Sequence, residues 1–280
     1  MNPEIIYPGI EWHEIDYQTK EYLPSPGPAG HVIEINYCDR GRMECRMADG
    51  CLQYIGEGDL FLHPQSNQSM IAELPLGYCQ GITVTIDPAA AGPDLHRLLP
   101  DLPIDLEQMA KRLFERDECL FIAAGNPITG LFDCRTRLPQ EAGMVLCRLK
   151  ILELIIYLYY LDVPSERYRK TYSKLQVDTI KQIHDYMTGH LSSRLTIDEL
   201  ARRFCISPTA LKTNFKAVYG LSVMTYLRQY RIRKAAALLR ESDAGIAEIA
   251  GLVGYESQSK FGAAFKELMH VSPMEYRRLP

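Results

Sequence analysis

Between residues 31 and 87 apolar and polar positions alternate with a period of two. Ile33, Ile35 and Tyr37 alternate with Glu34, Asn36 and Cys38, and Met43, Cys45 and Met47 alternate with Glu44 and Arg46. Successive side chains of a strand point to opposite faces, so this pattern predicts strands with one face on a core. Asp39-Arg40-Gly41 and Asp49-Gly50 punctuate the runs and read as hairpin turns. Leu52/Tyr54, Leu60/Leu62 and Ile82/Val84/Ile86 continue the alternation. Short antiparallel strands at this spacing predict a small barrel or sandwich.

Beyond residue 87 the period lengthens. Residues 103–116 read as a helix. Pro139 suits the first turn of another, over 140–161, in which Ala142, Val145, Leu149, Leu152, Ile156 and Tyr159 recur three and four residues apart. This stripe needs a partner. Its own barrel and the same helix of a second chain are both open. Residues 162–172 are polar, contain Pro164 and read as a linker. The expected organisation is a β-rich effector and dimerisation domain over 1–162, a linker over 163–172 and a helical domain over 173–280. The fold class is α+β.

The helical region repeats itself. Shifted by 50 residues, Ser207 falls on Ser257, Leu211 on Phe261, Phe215 on Phe265, Lys216 on Lys266, Ser222 on Ser272 and Tyr226 on Tyr276. Glu199-Leu200-Ala201 falls on Glu248-Ile249-Ala250 at a shift of 49. Two copies of one supersecondary unit are therefore present. In the first, Ile197, Leu200, Ala201 and Phe204 give a helix one apolar face, and Thr196 with Glu199 forms a capping box. Cys205-Ile206 makes the turn. Ser207 then caps a second helix that has Pro208 at its first position and buries Leu211, Phe215 and Val218. The second copy repeats this with Ile246, Ile249, Ala250 and Val253, then Ser257, Phe261, Phe265 and Leu268. A helix over 222–240 joins them.

Charge sharpens this picture. Residues 1–170 hold 25 acidic and 15 basic side chains, whereas 171–280 hold 10 acidic and 16 basic. A basic rear half points to a polyanion as its partner. A major groove admits one helix, whose exposed polar side chains must reach base edges. Thr209, Lys212 and Thr213 meet that need. Arg202, Arg203, Lys216, Arg231, Arg233 and Lys234, with Lys260 and Lys266 of the second copy, are candidate phosphate partners. Double-stranded DNA is the expected partner.

The segments LTIDELARRFCISPTALKTNFKAVYG, YLRQYRIRKAAALL and IAEIAGLVGYESQSKFGAAFKELMHVSPMEYRR resemble the DNA-binding domain of AraC/XylS-type transcription regulators. The resemblance covers about a third of the chain. It implies base contacts from Thr209, Lys212 and Thr213 in the first reading helix and from Gln258, Ser259 and Ala263 in the second. It also implies a homodimeric, effector-responsive activator that works with RNA polymerase. Two positions depart from the family pattern. Gly262 and Ala263 stand where longer polar residues are usual, and His270 replaces the glycine that Gly220 supplies in the first copy.

In the front half, GEGDLFLHP resembles the second part of a cupin-type barrel. The order of EINYC, GEGD and GITVTI resembles the siderophore-responsive branch of the family. His13, His31 and His63 are isolated, no H-x-H is present, and Gln68 falls near an expected ligand position, so neither metal nor other cofactor is expected. His63 reads as a hydrogen-bonded loop residue. Trp12, Tyr37, Met43, Met47, Tyr54 and Phe61 are candidates to line an effector pocket, or else are barrel core.

No apolar run reaches the roughly 18–20 residues of a membrane helix, and the first residues show no signal-peptide pattern. A cytoplasmic protein without membrane partners is expected. The eight cysteines form no C-x-x-C pair. They read as reduced, mostly buried side chains, with control by thiol oxidation or by a protein partner as the alternative. An enzyme with a regulatory tail, such as an alkyl transferase, would need an activated cysteine that the sequence does not show. No catalytic residues are assigned.

Overall fold

The computed structural model describes residues 4–19, 32–47, 49–64, 71–115, 119–125, 131–132, 139–162 and 171–278. The chain divides into two units, Met1–Thr171 and Tyr172–Pro280. The division falls within the stretch read as linker, of which residues 163–170 lie outside the described residues.

Two antiparallel sheets build the front unit. Strands β1 (Glu4–Tyr7), β2 (Ile10–Tyr17), β3 (Ile33–Gly41), β6 (Leu60–Pro64), β8 (Cys79–Ile86) and β9 (Leu120–Ile122) form one, in the order β1-β2-β8-β3-β6-β9. Strands β4 (Met43–Arg46), β5 (Leu52–Ile55) and β7 (Ile71–Glu73) form the other, in the order β5-β4-β7. The Asp49-Gly50 hairpin is present, with Asp49 accepting from the Cys51 amide at 2.8 Å. The hairpin expected at Asp39-Arg40-Gly41 is absent. There the register slips between Cys38 and Arg40, β3 runs on through Gly41, and the chain passes from the large sheet into the small one.

Period-two patterning usually marks one wet face, but here both faces of the central strands β3 and β6 are buried. Ile33, Ile35, Leu60, Leu62, Ile82, Val84 and Ile86 pack outward against helices α1 (Pro88–Leu98), α2 (Leu106–Leu113) and α3 (Gln140–Tyr160). Cys38, Phe61, Cys79 and Phe121 pack inward against Met43, Cys45, Ile55 and Ile71 of the small sheet.

The helices depart from expectation in three ways. α1 follows Asp87, whose side chain accepts from the Ala89 and Ala90 amides. The helix read over 103–116 starts only at Leu106, because Asp105 caps it through the Gln108 amide, and it ends at Leu113. In α3, Pro139 is the residue before the helix, and Ile151, Leu154, Ile155 and Leu158 meet the sheet. Only the first part of the stripe read from the sequence faces away: Val145 and Leu149 are 55% and 58% exposed, whereas Leu152, Ile156 and Tyr159 are partly buried against the same core. The helix is apolar on two sides, and periodicity alone drew a stripe that crosses from the outer side to the core side.

The rear unit consists of α4 (Lys174–Gly189), α5 (Ile197–Arg203), α6 (Pro208–Tyr219), α7 (Val223–Glu241), α8 (Ile246–Leu252), α9 (Gln258–Met269) and α10 (Pro273–Arg278). The predicted caps form. Thr196 and Glu199 make a reciprocal capping box on α5, Ser207 accepts from the Ala210 amide on α6, and Ser257 accepts from the Lys260 amide on α9. Each such cap contributes about 1 kcal/mol. Leu211, Phe215 and Val218 are buried in the first copy, and Phe261 and Phe265 in the second. Among the described residues no helix is long and apolar enough to cross a membrane.

Candidate nucleic-acid interface

The pairs α5–α6 and α8–α9 are the two helix-turn-helix units. Burial of one face of α6 leaves Thr209, Lys212, Thr213 and Lys216 exposed on the other. α9 likewise exposes Gln258, Ser259, Lys260, Ala263 and Lys266. The structure thus gathers each set of sequence-predicted residues on one outward face. Gly262 and Ala263 leave the middle of the α9 face without a polar side chain.

Each unit turns through one residue in the left-handed region. In the first turn this is Cys205, at φ 52°; in the second it is Gly254, at φ 84°. The residues that end α6 and α9 show the reverse pairing, with Gly220 at φ 78° and His270 at φ 62°. His270 was legible from the repeat, and Cys205 was not drawn from it. Gly254 is required twice over, since a Cβ there would also strike the Leu191 carbonyl oxygen and the Arg231 guanidinium.

Arg231 is not placed as a free phosphate partner. Its Nη2 donates to the carbonyl oxygens of Leu191 at 2.7 Å and Ser193 at 2.8 Å, tying α7 to the turn between α4 and α5. Burial pulls its pKa below the ordinary arginine value, with nearby Tyr255 opposing. Arg203 lies over the Tyr186 ring, 4.2 Å from its centroid, but remains exposed. Arg202, Arg233 and Lys234 are also exposed.

The effector candidates do not line one cavity. Trp12 and Tyr37 stack on Phe132, at 6.0 and 4.7 Å between centroids, on the helix-covered face of the large sheet. Met43 and Phe61 face the space between the sheets, with Met47 packed against them. The Tyr54 hydroxyl donates to Glu44 at 2.7 Å, on the other face of the small sheet from Met43.

Sequence reading missed a polar group on the inner face of the large sheet. Glu34, Asn36, His63 and Thr83 are all buried there. The Asn36 amide donates to Glu34 at 3.1 Å, Thr83 donates to Asn36 at 2.8 Å, and His63 Nε2 lies 3.4 Å from the Glu34 carboxylate. Burial would raise the Glu34 pKa. Hydrogen bonding and charge from His63, the Asn36 bond and the charge of His13 outweigh it and hold the carboxyl below its usual range. His63 therefore sits in strand β6, not in a loop. The polar members of the alternating pattern carried this signal, but they read as solvent-facing.

Among the described residues no three His, Cys, Asp or Glu side chains converge as metal ligands. His31 and Gln68 lie outside the described residues. Cys38, Cys45, Cys79 and Cys119 are buried, Cys51 and Cys147 are partly buried, and Cys205 is exposed. Cys38 and Cys79 bring their sulfurs to 3.9 Å. That hydrogen bond, then burial, pushes the Cys38 thiol far up, which keeps it protonated and poorly nucleophilic.

Two capped helix-turn-helix units joined by one helix define the rear unit as a double helix-turn-helix domain. Residues 200–279 match the family model described as "Helix-turn-helix domain", and the domain is of the AraC type. A putative AraC-like transcription regulator of Streptomyces antibioticus is 40% identical over 85 residues, 30% of this chain and 28% of that protein. The transcriptional activator AarP of Providencia stuartii is 28% identical over 110 residues, 39% of this chain and 82% of AarP. Among solved structures, the C-terminal domain of the response regulator AraT from Geobacillus stearothermophilus is 38% identical, covering 36% of this chain and 84% of that one at a TM-score of 0.35. The match thus spans less than a third of the length of the Streptomyces relative.

Proposed function

We propose that the chain is a sequence-specific DNA-binding transcription regulator whose front unit responds to a small effector. The duplicated reading face carries this conclusion: two capped helices, each with one side buried and the other presenting side chains suited to a groove, in a basic domain. Thr209, Lys212 and Thr213 read bases from α6. Gln258, Ser259 and Ala263 contact them from α9, where readout leans on DNA shape. Arg202, Arg203, Lys216, Arg233, Lys234, Lys260 and Lys266 hold phosphates. Arg231 serves the fold.

The effector binds in the front unit and shifts the population of states with different DNA affinity. Two copies pair through the outer stripe of α3, and the pair activates transcription by RNA polymerase. The likeness to the transcriptional activator AarP and the two exposed apolar residues of that stripe, Val145 and Leu149, support this reading.

The test is selection of bound sequences from a random duplex pool by the purified full chain. A preferred sequence should emerge, with binding that weakens steeply as salt rises. Lys212→Ala should then relax preference at one position, at a cost on the order of 1–3 kcal/mol. Binding without any preferred sequence would refute the proposal.

A further inference from the structure

The repeat sets the two helix-turn-helix units against each other position by position. At a shift of 50 residues, Thr209 of α6 falls on Ser259 of α9, Lys212 on Gly262, Thr213 on Ala263 and Lys216 on Lys266. The first and last of these positions keep a hydroxyl and an ammonium group. The two between them, on the second turn of α9, lose every side-chain hydrogen-bonding group. Gln258 adds one amide at the first residue of α9, where α6 has Pro208. At a shift of 49, Arg202 and Arg203 at the end of α5 fall on Gly251 and Leu252 of α8, the latter 54% exposed. Charge divides the same way. Residues 197–219 carry four cations and two carboxylates, whereas residues 246–269 carry two cations and three carboxylates. One of the three, Glu267, is engaged by Arg228 of α7, which leaves the second unit close to neutral. A duplex therefore attracts mainly the first unit. At Gly262 nothing lies within 4 Å of the place a Cβ would take, so packing does not demand a glycine there.

We infer that the two units are unequal readers. The first supplies most of the base discrimination and most of the hold on phosphates. α9 hydrogen-bonds to bases only from its first turn, and Gly262 is the residue that stops it there. The inference rests on the proposal that the rear unit binds DNA. It adds that each chain's part of a bound site holds one strong block and one weak block, about one helical turn apart.

Binding by the full chain is measured on the enriched duplex, on two versions of it with one block scrambled, and on an unselected duplex. Lys212→Ala identifies the α6 block as the one where preference relaxes. Scrambling that block should bring affinity down to that for the unselected duplex. Scrambling the other should leave a preference of about tenfold or more. Gly262→Lys should sharpen the weak block, adding a preference for guanine at one position of roughly 5–150-fold. Its thermal midpoint should not fall below the parent's, since glycine is a poor helix former. Equal losses from the two scrambled blocks would overturn the inference, and so would a larger loss at the α9 block. Gly262→Lys with the parent's preferences would overturn the role given to that residue. If this variant melts early, the scrambled duplexes, read by the parent chain, decide. If the parent chain selects no sequence and binds no duplex, the DNA-binding proposal fails first.

Discussion

Replacing Arg231 with methionine separates a structural arginine from a DNA-binding one. The side chain runs from α7 to the turn after α4, donating to the Leu191 and Ser193 carbonyl oxygens. Each bond from a charged donor is worth about 1.5–3 kcal/mol. Against this stands the desolvation of the guanidinium, whose Nε is buried without a partner and costs on the order of 1–3 kcal/mol. The Ser193 carbonyl is exposed and regains water in the variant, while the half-buried Leu191 carbonyl regains less. Methionine preserves the packing of the aliphatic stem, so the net loss should be about 2 kcal/mol. For a unit of roughly 100 residues, that lowers the melting midpoint by about 8–12 °C. Circular dichroism at the helix band reads mainly the rear unit, which holds most of the helical residues, and fluorescence of Trp12, the single tryptophan, reads the front unit and should not move. The slope of DNA affinity against salt should match that of the parent chain. Unchanged stability with a slope reduced by about 0.9 would show that Arg231 serves a phosphate and refute the structural assignment.

Other expectations follow from the same geometry. His270→Gly relieves a left-handed residue and should stabilise the rear unit by about 0.5–1 kcal/mol in urea unfolding, whereas Gly254→Ala should destabilise it by more than about 2 kcal/mol because the added Cβ meets backbone. The Glu34 carboxyl is held low in the folded state, so its contribution is present above the unfolded glutamate pKa and lost as pH falls through the folded value. Urea unfolding followed by Trp12 should therefore weaken below about pH 4.3 in the parent chain and less steeply in Glu34→Gln; identical profiles would count against the buried network. Val145→Glu with Leu149→Glu should convert a dimer to monomers in sedimentation while leaving the Trp12 unfolding midpoint in place, since both side chains are more than half exposed.

How much of this was legible in the sequence depended on how local the physics is. The rear unit was read nearly whole, because caps such as Ser207 and Ser257 and the apolar positions of α6 and α9 act within a turn or two of themselves. The repeat supplied a second copy against which to check each residue. In the front unit the strands were visible but their surroundings were not. Glu34, Asn36 and Cys38 look like the wet side of a strand until a second sheet covers them. The choice between the two apolar sides of α3 likewise depended on tertiary packing. Arg231 shows the limit inside the rear unit itself. A basic residue on a basic domain suggests DNA, and only the carbonyl oxygens of the turn after α4 reveal its actual partners.

The joining helix α7 is also a ruler. Its first half meets the first copy, where Tyr226 contacts the rings of Phe215 and Tyr219. Its second half meets the other copy, where Ile232, Ala235, Ala236 and Leu239 pack against Ile249, Phe261 and Phe265. Nineteen residues of continuous helix make a rod of about 28 Å that sets both the separation and the relative heading of α6 and α9. Inserting one residue in its middle would swing one reading helix about 100° around the axis relative to the other, leaving each copy intact but out of phase on the same duplex. Inserting seven would nearly restore the heading and lengthen the rod by about 10 Å, but over the matching three base pairs the groove turns by about 100°, so a spacer of that length should not rescue binding.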